Sequence, residues 1–397
     1  MFPKVPLRSV LRKVEEPVVI QPEKTYKQVT VRLFHKGVVL RGQQAGADIR
    51  TAGQWGIRGG QILLSRIDAR NGAIGLVPFD LDGAVVTNDF WAFEVDSRAA
   101  EPGFLDAYFG TPEFVEACGR ASEGTTNRVR LQLERFLDIV VPLPSLTEQR
   151  RIVTRIEELA AKIDEARGLR LQTAMEAEAL AKSQLAATVD TLVKRVGSRP
   201  LGQLIMEAGY GTSAKCNYER PKGAVPVLRI PNVASERVNS DAMKYGTLSS
   251  AELQRVVVSE GDVLVVRTNG SADLVGRCAV VPRLPEPTAF ASYLIRLRCD
   301  PKTISPHYLQ LMLKHLRTGG ELIDFARTTA GQYNVSLGRL GGAPLPVPPL
   351  AEQRGIVARM DELQERVDTL KRLQIESAAE LDALLPSILD KAFKGEL

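Results

Sequence analysis

The chain is poor in cysteine and histidine. Four cysteines and three histidines occur in 397 residues. Cys118, Cys216, Cys278 and Cys299 are scattered, with no C-x-x-C pair. This argues against a disulfide framework or a zinc site, and for reduced thiols in a cytoplasmic setting. His35, His307 and His315 lack the spacing of metal ligands. No apolar run approaches the roughly twenty residues of a membrane span. The start, MFPKVPLRSVLRK, has no apolar core of the kind a signal peptide needs. The phosphate loop G-x-x-x-x-G-K-[ST], the methyltransferase tetrapeptide [DNS]-P-P-[YFW], G-x-S-x-G and H-E-x-x-H are all missing, which disfavours an enzyme built on any of them.

What the chain has is a long phrase said twice. PLPSLTEQRRIVTRIEELAAKID begins at Pro142 and PVPPLAEQRGIVARMDELQERVD at Pro346, an offset of 204, with about half the positions identical. Apolar residues follow at 4-3-4-3 spacing, the seam of a coiled coil. The first copy supplies Ile152, Ile156, Leu159 and Ile163, then Ala166. The second supplies Ile356, Met360, Leu363, Val367 and Leu370. The register continues through Thr173, Ala177 and Leu180, and through Ser377, Leu381 and Leu384. Ser145 and Glu148 read as a capping box. The second copy has Pro349 in place of Ser145, which suggests proline at the first helical position. Gly168 weakens the first helix, Gly197-Ser-Arg-Pro200 ends it, and Pro386 kinks or shortens the second. Such a narrow seam needs a partner, and the other copy, packed antiparallel, is the nearest; the alternative is that each helix packs on its own globular module.

The repeat extends upstream. Gly60-QILLSR matches Gly261-DVLVVR, Val77-Pro78 matches Val281-Pro282, and Asp96 and Pro102 match Asp300 and Pro306. Strand-like and helix-like runs alternate in both halves, so the expected class is α+β. The expected organisation is a module over 1–142, a helix over 143–197, a second module over 198–345 and a second helix over 346–397. FDLDGAVV at Phe79–Val86 looks like the aspartate loop of a phosphatase. Its counterpart RLPEPTAF lacks the carboxylate pair, so a turn is the economical reading. Net charge is +5, and the surplus sits in the second module: 18 basic against 12 acidic residues over 198–345, and 18 against 17 over 1–142. A basic module suggests a polyanionic partner.

The loops diverge where the scaffold agrees, and they are rich in side chains that can read base edges. The candidate contacts in the first module are Arg66, Arg70, Asn71, Asn127, Arg128 and Arg130. In the second they are Tyr210, Ser213, Lys215, Arg229, Arg267, Asn269, Gln332, Tyr333 and Asn334. Turn chemistry alone also favours Asn and Gly at such places. Glu148, Gln149, Glu352 and Gln353 are expected to organise the helix starts and a partner interface.

The doubled P-x-P-x-L-x-E-Q-R-x-I-V, the two long helices and the closing LLPSILDKAFKGEL resemble the specificity subunits of type I restriction–modification systems. The resemblance covers the whole chain. It implies two mixed α/β target-recognition domains with an internal pseudo-two-fold repeat, separated by two helices in an antiparallel coiled coil. It implies double-stranded DNA as ligand, with each domain reading one half of a bipartite site and the helices fixing an unread spacer. In that family the subunit has no catalytic site and no cofactor of its own. It recruits two adenine-N6 methyltransferase subunits that use S-adenosylmethionine, and motor–nuclease subunits that use ATP and Mg. The rival readings are a coiled-coil adaptor without DNA specificity and a stand-alone DNA-modifying enzyme.

Overall fold

The computed structural model describes residues 2–51, 53–124, 129–324, 327–329 and 332–397. The chain divides into two units: Met1–Arg170 with Gln374–Leu397, and Leu171–Leu373. Each unit therefore contains one globular module and a segment of each long helix.

The same four-stranded antiparallel sheet lies at the centre of both modules. In the first unit the order is Leu11–Val14, Phe90–Val95, Ile62–Ser65, Ile74–Leu76. In the second it is Ile205–Tyr210, Leu294–Cys299, Val263–Val266, Cys278–Val280. The two central strands, ILLS and VLVV, are buried along their whole length. Helices Pro102–Phe109 and Pro306–Thr318 both start with proline at the first turn, where the missing N–H costs nothing. The sequence offset thus marks a structural repeat. Beyond it the modules differ. The first adds a five-stranded sheet whose longest members are Thr25–Val31 and Val38–Ala45. The second carries two three-stranded sheets, one of Lys244–Gly246, Val225–Leu228 and Ala289–Phe290, the other of Thr268–Asn269, Gln332–Asn334 and Arg327–Thr329.

The central helix spans Leu146–Val196 without a break at Gly168, and it ends on Gly197 in the left-handed conformation, φ +68°. The C-terminal helix spans Leu350–Lys394 and runs through Pro386, so the expected shortening there does not occur. Half of the expected capping box forms. Ser145 Oγ accepts from the Glu148 N–H at 3.4 Å, but the Glu148 carboxylate pairs with Arg151 instead of turning back. Pro349 precedes the first helical residue, and its carbonyl accepts from the N–H groups of Glu352 and Gln353.

The helices run antiparallel within each unit. In the first, Arg167 pairs with Asp382 at 2.6 Å and Arg151 donates to the Leu397 carbonyl. In the second, Glu178 pairs with Lys371 and Arg195 with Glu352. The seam is not uniformly apolar, which corrects the expected continuation. Ile152 and Ile156 belong to the core of the first module, and Ile356 to that of the second. Leu389 and Ala392 close the first of these cores, and Leu185, Val189 and Leu192 the second. Ile163 and Val367 are buried, whereas Leu159, Met360, Leu363 and Leu370 are half-buried. Leu180 and Leu384 are 56% and 44% exposed. Ile163 and Val367 belong to neither module core, yet at 6% and 4% exposure they are as buried as Ile156, at 8%, within one. Packing on the module and packing on the other helix therefore occur together.

FDLDG is a turn. Phe79–Leu81 forms a single 3₁₀ turn, and Asp82 accepts the Gly59 N–H at 2.9 Å. Cys118, Cys278 and Cys299 are buried, and burial pushes their thiols up to about 12. They are core residues, not nucleophiles.

Candidate nucleic-acid interface

The two arginines matched by the sequence repeat, Arg66 and Arg267, occupy equivalent places. Each follows the innermost strand of its sheet. The Arg66 N–H donates to the Asp89 carbonyl at 2.8 Å, and the Arg66 carbonyl accepts from Leu131 N–H at 2.8 Å. The Arg267 N–H donates to the Tyr293 carbonyl at 3.0 Å, and the Arg267 carbonyl accepts from Val335 N–H at 2.8 Å. Tyr293 is the repeat counterpart of Asp89, and Val335 that of Leu131. A backbone held at both ends fixes where the side chain departs, which a reader of base edges requires.

The guanidinium groups then rest on different aromatics. Arg66 lies over Trp91, 4.8 Å from its ring centre, and donates to the Asn88 carbonyl at 3.2 Å. Lys13 approaches the same ring at 5.4 Å. Arg267 lies over Tyr210 at 4.3 Å and donates from Nε to Asn334 Oδ1 at 3.3 Å. Tyr210 pairs in the sheet with Ile295, the repeat counterpart of Trp91. The aromatic support has moved to the neighbouring strand while the arginine has stayed. Stacking on a ring holds a guanidinium plane without using its donors in ion pairs.

In the first unit Arg130 joins this group, with an ion pair to Asp89 at 3.0 Å. Arg70 and Asn71 sit on the 3₁₀ turn Ala69–Asn71, which is pinned to the hairpin between the two long strands: Phe34 N–H donates to Asn71 O and His35 N–H to Gly72 O. Asn127 and Arg128 lie outside the described residues.

In the second unit the structure brings Tyr210, Arg267, Asn269, Gln332, Tyr333 and Asn334 together. Thr268 faces Asn334 and Asn269 faces Tyr333 across two strands. Asn269 Oδ1 accepts the Ser271 N–H, so part of its capacity goes to a local turn. Tyr210 Oη accepts the Leu337 N–H at 3.1 Å. Ser213 and Lys215 are exposed on the segment after Tyr210, which buried Thr212 holds by donating to Glu252 at 2.6 Å. Arg229 belongs to another group, beside Tyr218 and Lys244. Sequence reasoning missed Trp91, Tyr218 and Lys244. Tyr218 and Lys244 lie where the two halves share no residue pattern, and Trp91 is replaced by Ile295.

Gln149 and Gln353 turn out to be structural, as buried clamps at the two helix starts. A cleft of about 1510 Å³ in the second unit lies between the helices and the module; charges of both signs, including Glu178, Lys182, Lys314 and Asp361, line it. It contains none of the expected DNA contacts. Among the described residues no cluster of His, Cys, Asp and Glu could hold a metal ion, and no helix is long and apolar enough to cross a membrane.

Comparison with known proteins gives a consistent result. The chain is 29% identical over 270 residues to the specificity subunit of the type I restriction enzyme StySPI of Salmonella potsdam, covering 65% of this chain and 58% of that protein. It is 27% identical over 274 residues to the EcoKI specificity subunit of Escherichia coli (strain K12), with the same coverage of 65% and 58%. The chain thus spans under two thirds of these curated relatives. Its fold resembles that of the HsdS subunit of Thermoanaerobacter tengcongensis, with TM-score 0.64 and 25% identity over 100% of this chain and 97% of that one. A chain solved in connection with complex assembly of the type I R-M system matches in fold with TM-score 0.72 and 24% identity, over the whole of both chains. No protein-family model matches.

Proposed function

We propose, proceeding from the chain's likeness to the specificity subunits of type I restriction enzymes, that it is the non-catalytic DNA reader of a type I restriction–modification complex. Each unit reads roughly three to five base pairs of one half-site in the major groove. The paired helices set the length of the unread spacer. Adenine-N6 methyltransferase subunits bring S-adenosylmethionine, and motor–nuclease subunits bring ATP and Mg. This chain supplies binding and orientation.

The observation that supports the reading best is the pair Arg66 and Arg267. Their backbone cradles are equivalent, but their aromatic supports and flanking loops differ. Two copies of one scaffold presenting unlike loops suit two readers with unlike targets. Phosphate contacts would position each unit, and base contacts would specify the half-site.

Mapping methylated adenines in cells that express the chain with its methyltransferase partner tests the proposal. The expected result is a bipartite motif with a spacer of fixed length. Removing the same number of heptads from both helices should change the spacer and leave both half-sites. A single uninterrupted motif, or methyl transfer by the purified chain alone, would overturn the reading.

A further inference from the structure

The second unit holds two cations against one exposed tyrosine. Tyr218 is 64% exposed. Lys244 Nζ lies 4.7 Å from its ring centre, and Arg229 Cζ 5.8 Å. The strands bring them together: Lys244 faces Val227, two residues before Arg229 in the chain, and Asn217 bridges to Tyr245. Neither cation has an ion-pair partner among the described residues. Other cations of the unit are paired: Arg220 with Glu286, Arg277 with Asp273, and Arg317 and Lys314 with Glu236. Arg229 donates to the Ala242 carbonyl at 3.0 Å, and its Nε is buried with no hydrogen-bond partner among the described residues.

Two half-buried cations beside one ring repel each other. The face of the ring offsets part of that cost. A carboxylate would offset the rest, as Glu286 does for Arg220, but none pairs with either cation among the described residues. An arrangement of this kind has a standing demand for an anion. The ring is open to solvent, so the anion can arrive as part of a large ligand.

We infer that Tyr218, Arg229 and Lys244 form a phosphate-binding platform that grips the sugar–phosphate backbone of duplex DNA beside the second half-site. The inference rests on the proposed DNA-reading role and deepens it. On this assignment Arg229 positions the duplex and does not read a base. Because the contact is to phosphate, it contributes equally on any sequence and weakens with salt.

The test uses the full chain together with its methyltransferase partner. Affinity for an unrelated duplex is measured over a salt series for the wild type, Lys244→Met, Arg229→Ala and the double variant. Each lost phosphate contact should lower the slope of log affinity against log salt by about 0.9. The loss should be the same on every duplex. Lys244→Met keeps the apolar stem, so it remains informative if Arg229→Ala fails to fold. An unchanged slope for folded Lys244→Met, while wild type binds, overturns the platform and leaves the DNA-reading role standing. A loss confined to one sequence makes Arg229 a base reader and overturns it as well. Cys216 provides a separate readout, because its thiol feels the charges of Arg229 and Lys244 and the other three cysteines are buried. Its alkylation should slow when duplex is added to wild type but not to the double variant. Inorganic phosphate serves as a control: protection by phosphate without protection by duplex would mean a site for free anions, and overturns the backbone assignment. Absence of duplex binding by wild type at any salt would overturn the DNA-reading role itself.

Discussion

Gln149 and Gln353, which hold the same place in the two copies of the repeat, make the same three hydrogen bonds. Gln149 Oε1 accepts the Glu101 N–H at 2.7 Å, and its Nε2 donates to the carbonyls of Ala99 and Pro144. Gln353 Oε1 accepts the Ser305 N–H at 2.9 Å, and its Nε2 donates to Thr303 and Pro348. Every partner obeys the repeat offset. Both side chains are 0% exposed. One amide thus ties two backbone segments: the loop that leads into the module's helix, through two bonds, and the proline-rich approach to the long helix. This explains why glutamine stands at this place in both copies. Only an uncharged amide offers both a donor and an acceptor in that geometry.

Gln149→Ala should destabilise the first unit, and Gln353→Ala the second. Each leaves a buried N–H and two carbonyls without their partner, at about 1–3 kcal/mol for an unsatisfied group. Gln→Glu at either position should cost no less, because a carboxylate accepts the N–H but cannot donate to the carbonyls. Denaturant unfolding of the purified variants measures this. Full stability of Gln149→Glu at neutral pH would show that donation to the carbonyls contributes nothing.

Arg66→Ala and Arg267→Ala should each relax recognition in one half-site only, at roughly 1–3 kcal/mol of discrimination. Arginine-to-lysine should fail to restore it, since an ammonium neither stacks on Trp91 or Tyr210 as a plane nor donates bidentately. Methylation mapping of each variant shows which half-site changes. A uniform loss on all sequences would make that arginine a phosphate contact.

Asp106 links stability to pH. Enclosure pushes its carboxyl above the usual carboxylate range; His35 and the Leu76 N–H, which donates at 2.9 Å, act in the opposite direction. A carboxyl raised on folding binds its proton more tightly in the folded state. Its contribution is therefore fully present below the unfolded value of about 3.9 and is lost as pH rises through the higher folded value. Asp106→Asn keeps the acceptor for Leu76 and cannot ionise. Relative to this variant, the wild type should lose stability as pH rises from about 4 towards neutrality. Urea unfolding across that range checks it. A variant that is weakened most at neutral pH would show that the contact with His35, at 3.7 Å, dominates instead.

The repeat was legible because holding residues are constrained. Its offset located matching strands, both proline-started helices and the FDLDG turn. A slightly shorter offset matched Arg66 with Arg267. The seam was legible only in part. Spacing identified Ile152 and Ile356 as apolar positions, but not that a module buries them while Leu180 stays open. Periodicity reports which face is apolar; what covers it depends on segments far away in sequence. The candidate interface was least legible. Trp91 supports Arg66 from the strand Phe90–Val95, and Tyr210 supports Arg267 from Ile205–Tyr210, the edge strand of the second module's central sheet. No local pattern carries such pairings, and divergence between the copies removes the one comparison the sequence offers.

Phe393 shows how far that distance can reach. Its ring meets Phe104 at 5.2 Å and Tyr108 at 5.0 Å, both edge-on, and Ala392 beside it is fully buried in the first module's core. The last turns of the C-terminal helix thus complete a core that the opening part of the chain begins. Phe393→Ala removes two aromatic contacts and opens a gap beside Phe104, at about 2–4 kcal/mol for a partly covered ring. The effect should be confined to the first unit. Hydrogen exchange should quicken in Pro102–Phe109 and remain unchanged in Leu294–Cys299 of the second. Leu185→Ala should do the reverse, since Leu185 is the repeat counterpart of Leu389 and sits in the second core. Equal quickening of both segments by either variant would mean that the two units unfold as one, and that the helices transmit the loss from core to core.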